Sequence, residues 1–359
     1  MKEPIVRSID VGFGTTSVVT SVQGDGNIVI RTMPSIAVPV DIGKRDISAG
    51  SLSASRNIQV SVRGNLFEVG EDVASACDPR STRVLNSGYI TSDQYLALFH
   101  GALSMMELPP SDTIDLLVGG LPVTGMGRRE ELRAMMIGEH KIGDRVIRVK
   151  DAWVIAQPVA GLLSYYREAG MAAMSALQEE TILVVDPGYL TFDWAVVKRL
   201  IINDKRSGAV ELGMSKVLAA VADAGGPIFG VDVLDIDTVD AAFISTPPRL
   251  RIFGRQYPFP VCDGKDLSGN RCDITYDFRE RIRRPCREAA EAMRSSVGDG
   301  QDLDRIVVVG GPAHVYAPAI QSIFPKHQVQ VTNGHLQSVV TGMQFGGMQR
   351  AVAALKKAG

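Results

Sequence analysis

The sequence predicts an internally duplicated α/β fold, and two stretches far apart in the chain carry that prediction. The first is Thr181–Val197, TILVVDPGYLTFDWAVV. An apolar run, Ile182–Val185, ends in Asp186; a Pro-Gly turn follows, and Thr191 and Asp193 lead into a second β-prone run, Trp194–Val197. Apolar runs on either side of a glycine turn read as two paired strands. The second stretch lies near the N-terminus: Val6-Arg7-Ser8-Ile9, then Asp10, then Val11-Gly12-Phe13-Gly14-Thr15-Thr16-Ser17, then Val18-Val19. Both run strand, aspartate, any residue, glycine, short turn, threonine, strand, which predicts one such hairpin in each half. Length agrees: 359 residues suit two domains of ordinary size.

Each hairpin has a chemical reading beside its structural one. Glycine has no Cβ, so backbone N–H groups there can turn inward against an anion. An aspartate at the strand end can hold the waters that magnesium prefers to keep. A single copy would read as an ordinary polar hairpin turn. Two copies favour a pair of phosphate loops.

The remaining elements follow in order. Asn27–Thr32 continues the first sheet. Pro34 to Leu66 is rich in Ser, Arg, Asp and Gly, with short β-like pieces at Ile58–Val62 and Leu66–Val69, and reads as an inserted subdomain. Thr91–Glu107 is a helix that Ser92 or Asp93 can cap, with Leu96, Phe99, Leu103 and Met106 at helical spacing. Ile114–Val118 is a buried strand ending in Gly119-Gly120-Leu121-Pro122; Met126–Ile137 is helical; Val146–Val149 and Ala152–Ile155 are strands. Gln157-Pro158 opens a helix to about Ala169, with proline where its missing N–H costs nothing. Gly170–Glu180 reads as a linker or frayed end.

In the second half, Leu200–Ser207 extends the sheet, Gly213–Ala224 and Ile236–Ile244 are helical, and Leu250–Phe259 is a small hairpin around Gly254. Ile274–Val297 reads as one long amphipathic helix that Pro285 should kink. Its stretch from Arg279 to Arg287 is a solvated face or a partner contact. Arg305–Val309 is a strand running into Gly310-Gly311-Pro312-Ala313, Val329–Val331 is another, and Ser338–Lys357 is a helix able to return to the first half. The expected division is one domain of residues 1–155 plus 337–359, with an insertion at about 33–90. The other is 156–336, with an insertion at about 226–300.

Composition narrows the function classes. The chain is 45% hydrophobic and 22% charged, with formal net charge −2, so no global charge draws it to nucleic acid. Cys77, Cys262, Cys272 and Cys286 form no CxxC pair and only five histidines accompany them, so zinc is not expected and the cysteines read as reduced thiols. The start, MKEPIVRSID, has no signal-like apolar segment and no run approaches a membrane span, which reads as cytoplasmic. There is no GxxxxGK[ST], HExxH or GxSxG. Gly12-Phe13-Gly14 lacks a third glycine and leads into strand rather than helix, against a dinucleotide fold.

Four elements remain in a definite order: Asp10–Thr16, Gln157-Pro158, Asp186–Asp193 and Val309–Ala313. This order resembles the superfamily of actin, heat-shock chaperone and sugar-kinase ATPases. Asp10-x-Gly12-x-Gly14-Thr15-Thr16 is similar to its first phosphate motif. Asp186-x-Gly188-x-x-Thr191-x-Asp193 is similar to the second, and Val308-Val309-Gly310-Gly311 to the adenosine motif. Phe67-Glu68-Val69-Gly70, Gly120-Leu121-Pro122-Val123, Gly213-Met214 and the Phe324-Pro325 end narrow the resemblance to the ParM/StbA group of plasmid-borne actins, and within it to the protein D family of the PRTRC cassette. Departures are Thr15-Thr16-Ser17 where a lysine is usual, Pro187, Tyr189 and Leu190 in the second loop, Pro312 after Gly311, and no asparagine before Gly342.

The resemblance implies a duplicated actin/ribonuclease-H-like fold, with two domains that each carry a mixed five-stranded-type sheet flanked by helices and a nucleotide cleft between them. It implies ATP or ADP with magnesium as cofactors. Asp10 and Asp186 would hold the metal through water, and Gln157 would orient the attacking water. Gly12, Phe13, Gly14, Thr15 and Thr16 would cradle phosphate with Gly188, Tyr189, Leu190 and Thr191, while Gly310, Gly311 and Pro312 approach the adenosine. Asp193 is either a further metal contact or a carboxylate that steadies the turn. The implied activity is slow ATP hydrolysis coupled to a head-to-tail filament, which segregates plasmid DNA through a centromere-binding adaptor without direct nucleic-acid or membrane contact. The alternatives are a non-polymerising nucleotide switch and a small-molecule kinase of the same superfamily. A kinase needs an aspartate base in the first half, and there is no clear candidate, since Asp112 and Asp115 sit ahead of or within a strand.

Overall fold

In the computed structural model, residues 3–24, 26–40, 56–73 and 88–358 are described. Two mixed sheets form its centre, and their strands are numbered here in chain order. The first contains β1 (Val6–Val11), β2 (Thr15–Val22), β3 (Ile28–Pro34), β4 (Leu116–Leu121) and β5 (Ala152–Ala156), in the order β5-β4-β1-β2-β3. The second contains β6 (Ile182–Pro187), β7 (Phe192–Lys198), β8 (Arg305–Val308) and β9 (Val329–Val331), in the order β7-β6-β8-β9; the short strands Ile201–Ile202 and Gly208–Val210 pair with the far edge of β7. In both sheets an antiparallel hairpin comes first and two parallel strands are added beside its first member. The duplication read from the hairpins therefore extends to the whole sheet.

Ile182–Val185 is buried on both faces, as expected for a strand in a sheet covered on both sides. Its alternate side chains enter different cores. Leu183, Val185, Trp194, Val196, Ile306 and Val308 join the core of the second half. Ile182, Val184, Ala195, Val197 and Val307 join a core shared with Val6, Leu116 and Val118 of the first sheet.

The shared core is filled by α2 (Gln157–Ala169) and α6 (Ser338–Ala358), which pack on each other between the sheets; the other numbered helices are α1 (Asp93–Ser104), α3 (Met214–Gly225), α4 (Arg279–Val297) and α5 (Ala313–Ile323). Gly342 lets α6 approach α2 closely, because a Cβ there would overlap the Ala160 carbonyl. Ser92 caps α1 by accepting from the Tyr95 N–H at 3.1 Å.

Several expectations change. Gly170–Glu180 is not a linker: Met171–Glu179 is a helix, and its Met, Ala, Leu, Gln and Glu residues are all good helix formers once Gly170, at φ +85°, has ended α2. The segment from Ile274 does not begin a helix. Arg271–Asp277 is a strand paired with Val261–Lys265, and α4 starts at Arg279 with Pro285 inside it. A 3-10 turn, Val123–Arg128, precedes the helix Arg129–Met136. Of the expected insertion near 33–90, the described part is a sheet of Val38–Pro39, Asn57–Val62 and Asn65–Gly70; Cys77 lies outside the described residues. No helix among the described residues is long and apolar enough to cross a membrane.

Candidate functional site

The two hairpins close with the same bond. Gly12 N–H donates to the Thr15 carbonyl at 3.0 Å, and Gly188 N–H donates to the Thr191 carbonyl at 2.8 Å. In register, Asp10 pairs with Ser17, whereas Asp186 pairs with Asp193. The turns meet tip to tip: a Cβ on Gly14 would lie 2.7 Å from the Tyr189 Cβ. Backbone amides of Gly213, Met214 and Ser215, where α3 begins, donate to the carbonyls of Leu190, Gly188 and Tyr189 at 3.0, 2.9 and 2.8 Å. The second loop's outward oxygens are thereby satisfied. Gly310, at φ +78°, brings the end of β8 against Asp186, since a Cβ there would collide with the carboxylate.

A cavity of about 1040 Å³ lies between these elements. Asp10, Gly12, Phe13, Gly14 and Thr15 line it from the first hairpin, and Asp186, Gly188, Tyr189, Leu190 and Thr191 from the second. Gln157, Asp193, Gly310, Gly311 and Pro312 complete the set drawn from the sequence. Thr16 is the exception: it is fully buried, its hydroxyl bonds Ser35 Oγ at 2.9 Å, and it does not line the cavity. The alternation of β2 explains this, because Thr15 and Thr16 face opposite sides of the strand. Asp112 and Asp115 also lie elsewhere, engaged by Arg145 at 2.6 Å and Lys150 at 2.7 Å, so neither is placed to serve as a kinase base.

The carboxylates repel one another in a dry place. Burial raises the Asp10 pKa to about 6, against a hydrogen bond from Gln157 Nε2 at 2.8 Å. Burial raises Asp193 to about 6 as well, opposed by the Thr191 hydroxyl and by the Val123 N–H, which donates at 3.0 Å. Asp186 is raised well above its ordinary value by burial first, then by the charges of Asp193 and Asp10. Among the described residues the one arginine or lysine lining the cavity is Arg128, itself paired with Glu131 at 2.8 Å.

Three buried carboxylates, one of them raised further by the charges of the other two, fit a hard divalent cation. Among the described residues no cluster of three His, Cys, Asp or Glu side chains is placed to hold a metal by itself. Sequence reasoning missed Arg128, Glu211, His314 and His335 on the cavity wall, and Tyr89, which stacks on Phe13 with ring centroids 4.9 Å apart. Only the fold brings these residues to the motifs, and no local pattern marks them.

Comparison with known proteins agrees with this architecture. The family model described as the actin like proteins N terminal domain matches residues 8–159. No curated protein sequence matches the chain. Among solved structures, the archaeal actin homologue Ta0583 superposes with TM-score 0.70 at 15% identity, covering 98% of this chain and 99% of its own. Ta0583 in complex with ADP gives 0.68 at 15%, with 96% and 99% covered. A 15-stranded ParM filament from Clostridium botulinum gives 0.68 at 17%, with 97% and 100% covered. The chain has the fold of these bacterial and archaeal actin homologues, and residues 8–159 match the model of the actin-like N-terminal domain.

Proposed function

We propose that the chain is a cytoplasmic, ParM-type actin that binds ATP with magnesium in the cavity between its hairpins, assembles head to tail, and hydrolyses the nucleotide slowly. One observation carries this reading: two hairpins closed by the same Gly-to-Thr bond present Asp10 and Asp186 to one cavity. Ta0583 crystallised with ADP and the ParM filament from Clostridium botulinum support it by likeness of fold.

Backbone amides of the two turns would hold the phosphate oxygens, and Asp10 and Asp186 would hold the waters of the metal. Magnesium, when bound, would neutralise charge on the β- and γ-phosphates. Gln157 gives its amide N–H to Asp10, which leaves Oε1 free to accept from a water and orient it. A neutral amide cannot take the proton, so turnover is slow. The moving bodies would be residues 1–155 with 337–359 and residues 156–336, and a heterologous contact between copies that does not close gives a filament. An adaptor would link that filament to plasmid DNA, since the net charge of −2 offers no direct hold.

The test is electron microscopy and sedimentation with Mg-ATP, Mg-ADP and no nucleotide, alongside phosphate release. Filaments formed with ATP, and loss of hydrolysis by roughly 100-fold or more in Asp186→Ala, are expected. Absence of nucleotide binding, or unchanged turnover in Asp186→Ala, overturns the assignment.

A further inference from the structure

We infer that His314 and His335 form the base-reading end of this cavity and select a purine with a 6-amino group over one with a 6-oxo group. The inference rests on the nucleotide reading above and assigns the part of the ligand that the carboxylates and glycine turns cannot recognise. Both histidines line the cavity beside Gly310-Gly311, with Val315 and Leu336 next to them. His314 lies in the first turn of α5, and His335 opens the 3-10 turn His335–Gln337 just before α6. One part of the cavity thus offers amides and carboxylates. The other offers flat rings and apolar neighbours, the surroundings that a base prefers.

The tautomer of His335 is set by its partner. Its Nδ1 lies 3.2 Å from the Gly310 carbonyl. A carbonyl only accepts, so Nδ1 carries the proton and Nε2 is left as a lone pair. Burial, and then the neighbouring His314, lower the His335 pKa below its ordinary value, which keeps the ring neutral at pH 7.5. Nε2 has no hydrogen-bond partner among the described residues and is not one of their buried unpaired nitrogens, so it stays open for a donor. His314 braces the ring edge-on, with centroids 4.3 Å apart and planes at 87°, which resists rotation of the imidazole. An open acceptor fixed in this way matches the amino group at position 6 of adenine. It faces a 6-oxo group acceptor to acceptor.

The experiment compares ATP with inosine triphosphate, which differs in the base at the 6-position and at N1, by calorimetry with magnesium at pH 7.5. The wild-type chain is expected to bind ATP at least about tenfold more tightly. His335→Phe removes the acceptor, and the ratio should fall towards one. His335→Gln keeps an N–H for the Gly310 carbonyl and an oxygen for the base, so the ratio should be retained. His314→Ala frees the brace and should lower the ratio, which gives a second variant should His335→Phe fail to fold. Equal binding of the two nucleotides by the wild-type chain, or a ratio unchanged in folded His335→Phe and His314→Ala, overturns this inference and leaves the nucleotide reading standing. Binding of neither nucleotide by the wild-type chain removes both.

Discussion

Asp193 shows how one position separates two hairpins that otherwise repeat each other. Its counterpart in the first hairpin, opposite Asp10, is Ser17, which carries no charge. The second hairpin therefore holds two carboxylates side by side, and in the absence of a cation that arrangement costs stability. The sign follows from the raised pKa of Asp193, about 6 when folded against an ordinary value near 4. A carboxyl raised by folding contributes its stability at low pH and loses it as pH rises through about 6. Asp193→Asn keeps an oxygen for the Val123 N–H but removes the charge. Without ligand it should unfold about 1–3 kcal/mol less readily than the wild-type chain at pH 7.5, a gain that fades towards pH 4. Denaturant titrations at the two pH values measure this, and a gain equal at both would contradict the charge account. At this scale the aspartates and glycines were legible in the sequence because each motif is local. Thr16 was misplaced because a motif does not tell which of two adjacent threonines faces the ligand. The histidines were invisible because His314 and His335 lie 21 residues apart (335 − 314) and meet only through α5, β9 and the turn that follows.

Among elements, the two inter-sheet helices decide whether the halves can sit against each other. The α2–α6 crossing is close at Gly342, under which the Ala160 carbonyl leaves no room for a methyl group. Gly342→Ala is expected to lower stability by about 1–3 kcal/mol through overpacking, and thermal unfolding without ligand would show it. An unchanged midpoint would mean that the helices separate at little cost. The bounds of α2 were readable because Pro158 marks its start and Gly170 its end. Met171–Glu179 was missed because Gly170 reads as a helix end and the residues after it as a linker or frayed end. Arg271–Asp277 was misread because its apolar residues run on towards α4 without a glycine or proline between them, and only the pairing with Val261–Lys265 makes it a strand.

For the whole molecule, repetition was the most informative signal. Two hairpins implied two sheets, and the sheets share one strand order. The insertions were less legible, because their short strands are specified by partners distant in sequence. If magnesium and ATP draw the hairpins together, small-angle scattering should show a smaller radius of gyration for the nucleotide-bound monomer, measured below the concentration for assembly. An identical radius would argue against closure. If residues 1–155 with 337–359 and residues 156–336 move as the two bodies proposed above, the described chain passes between them at Ala156–Gln157 and between Thr332 and Ser338, where it enters α6. A body pinned at two points keeps a single easy rotation, like a door on a pair of pins. Gln157, bonded to Asp10, sits at one pin and His335, bonded to Gly310, at the other. A swing of one such body would therefore turn Gln157 and His335 in the same stroke.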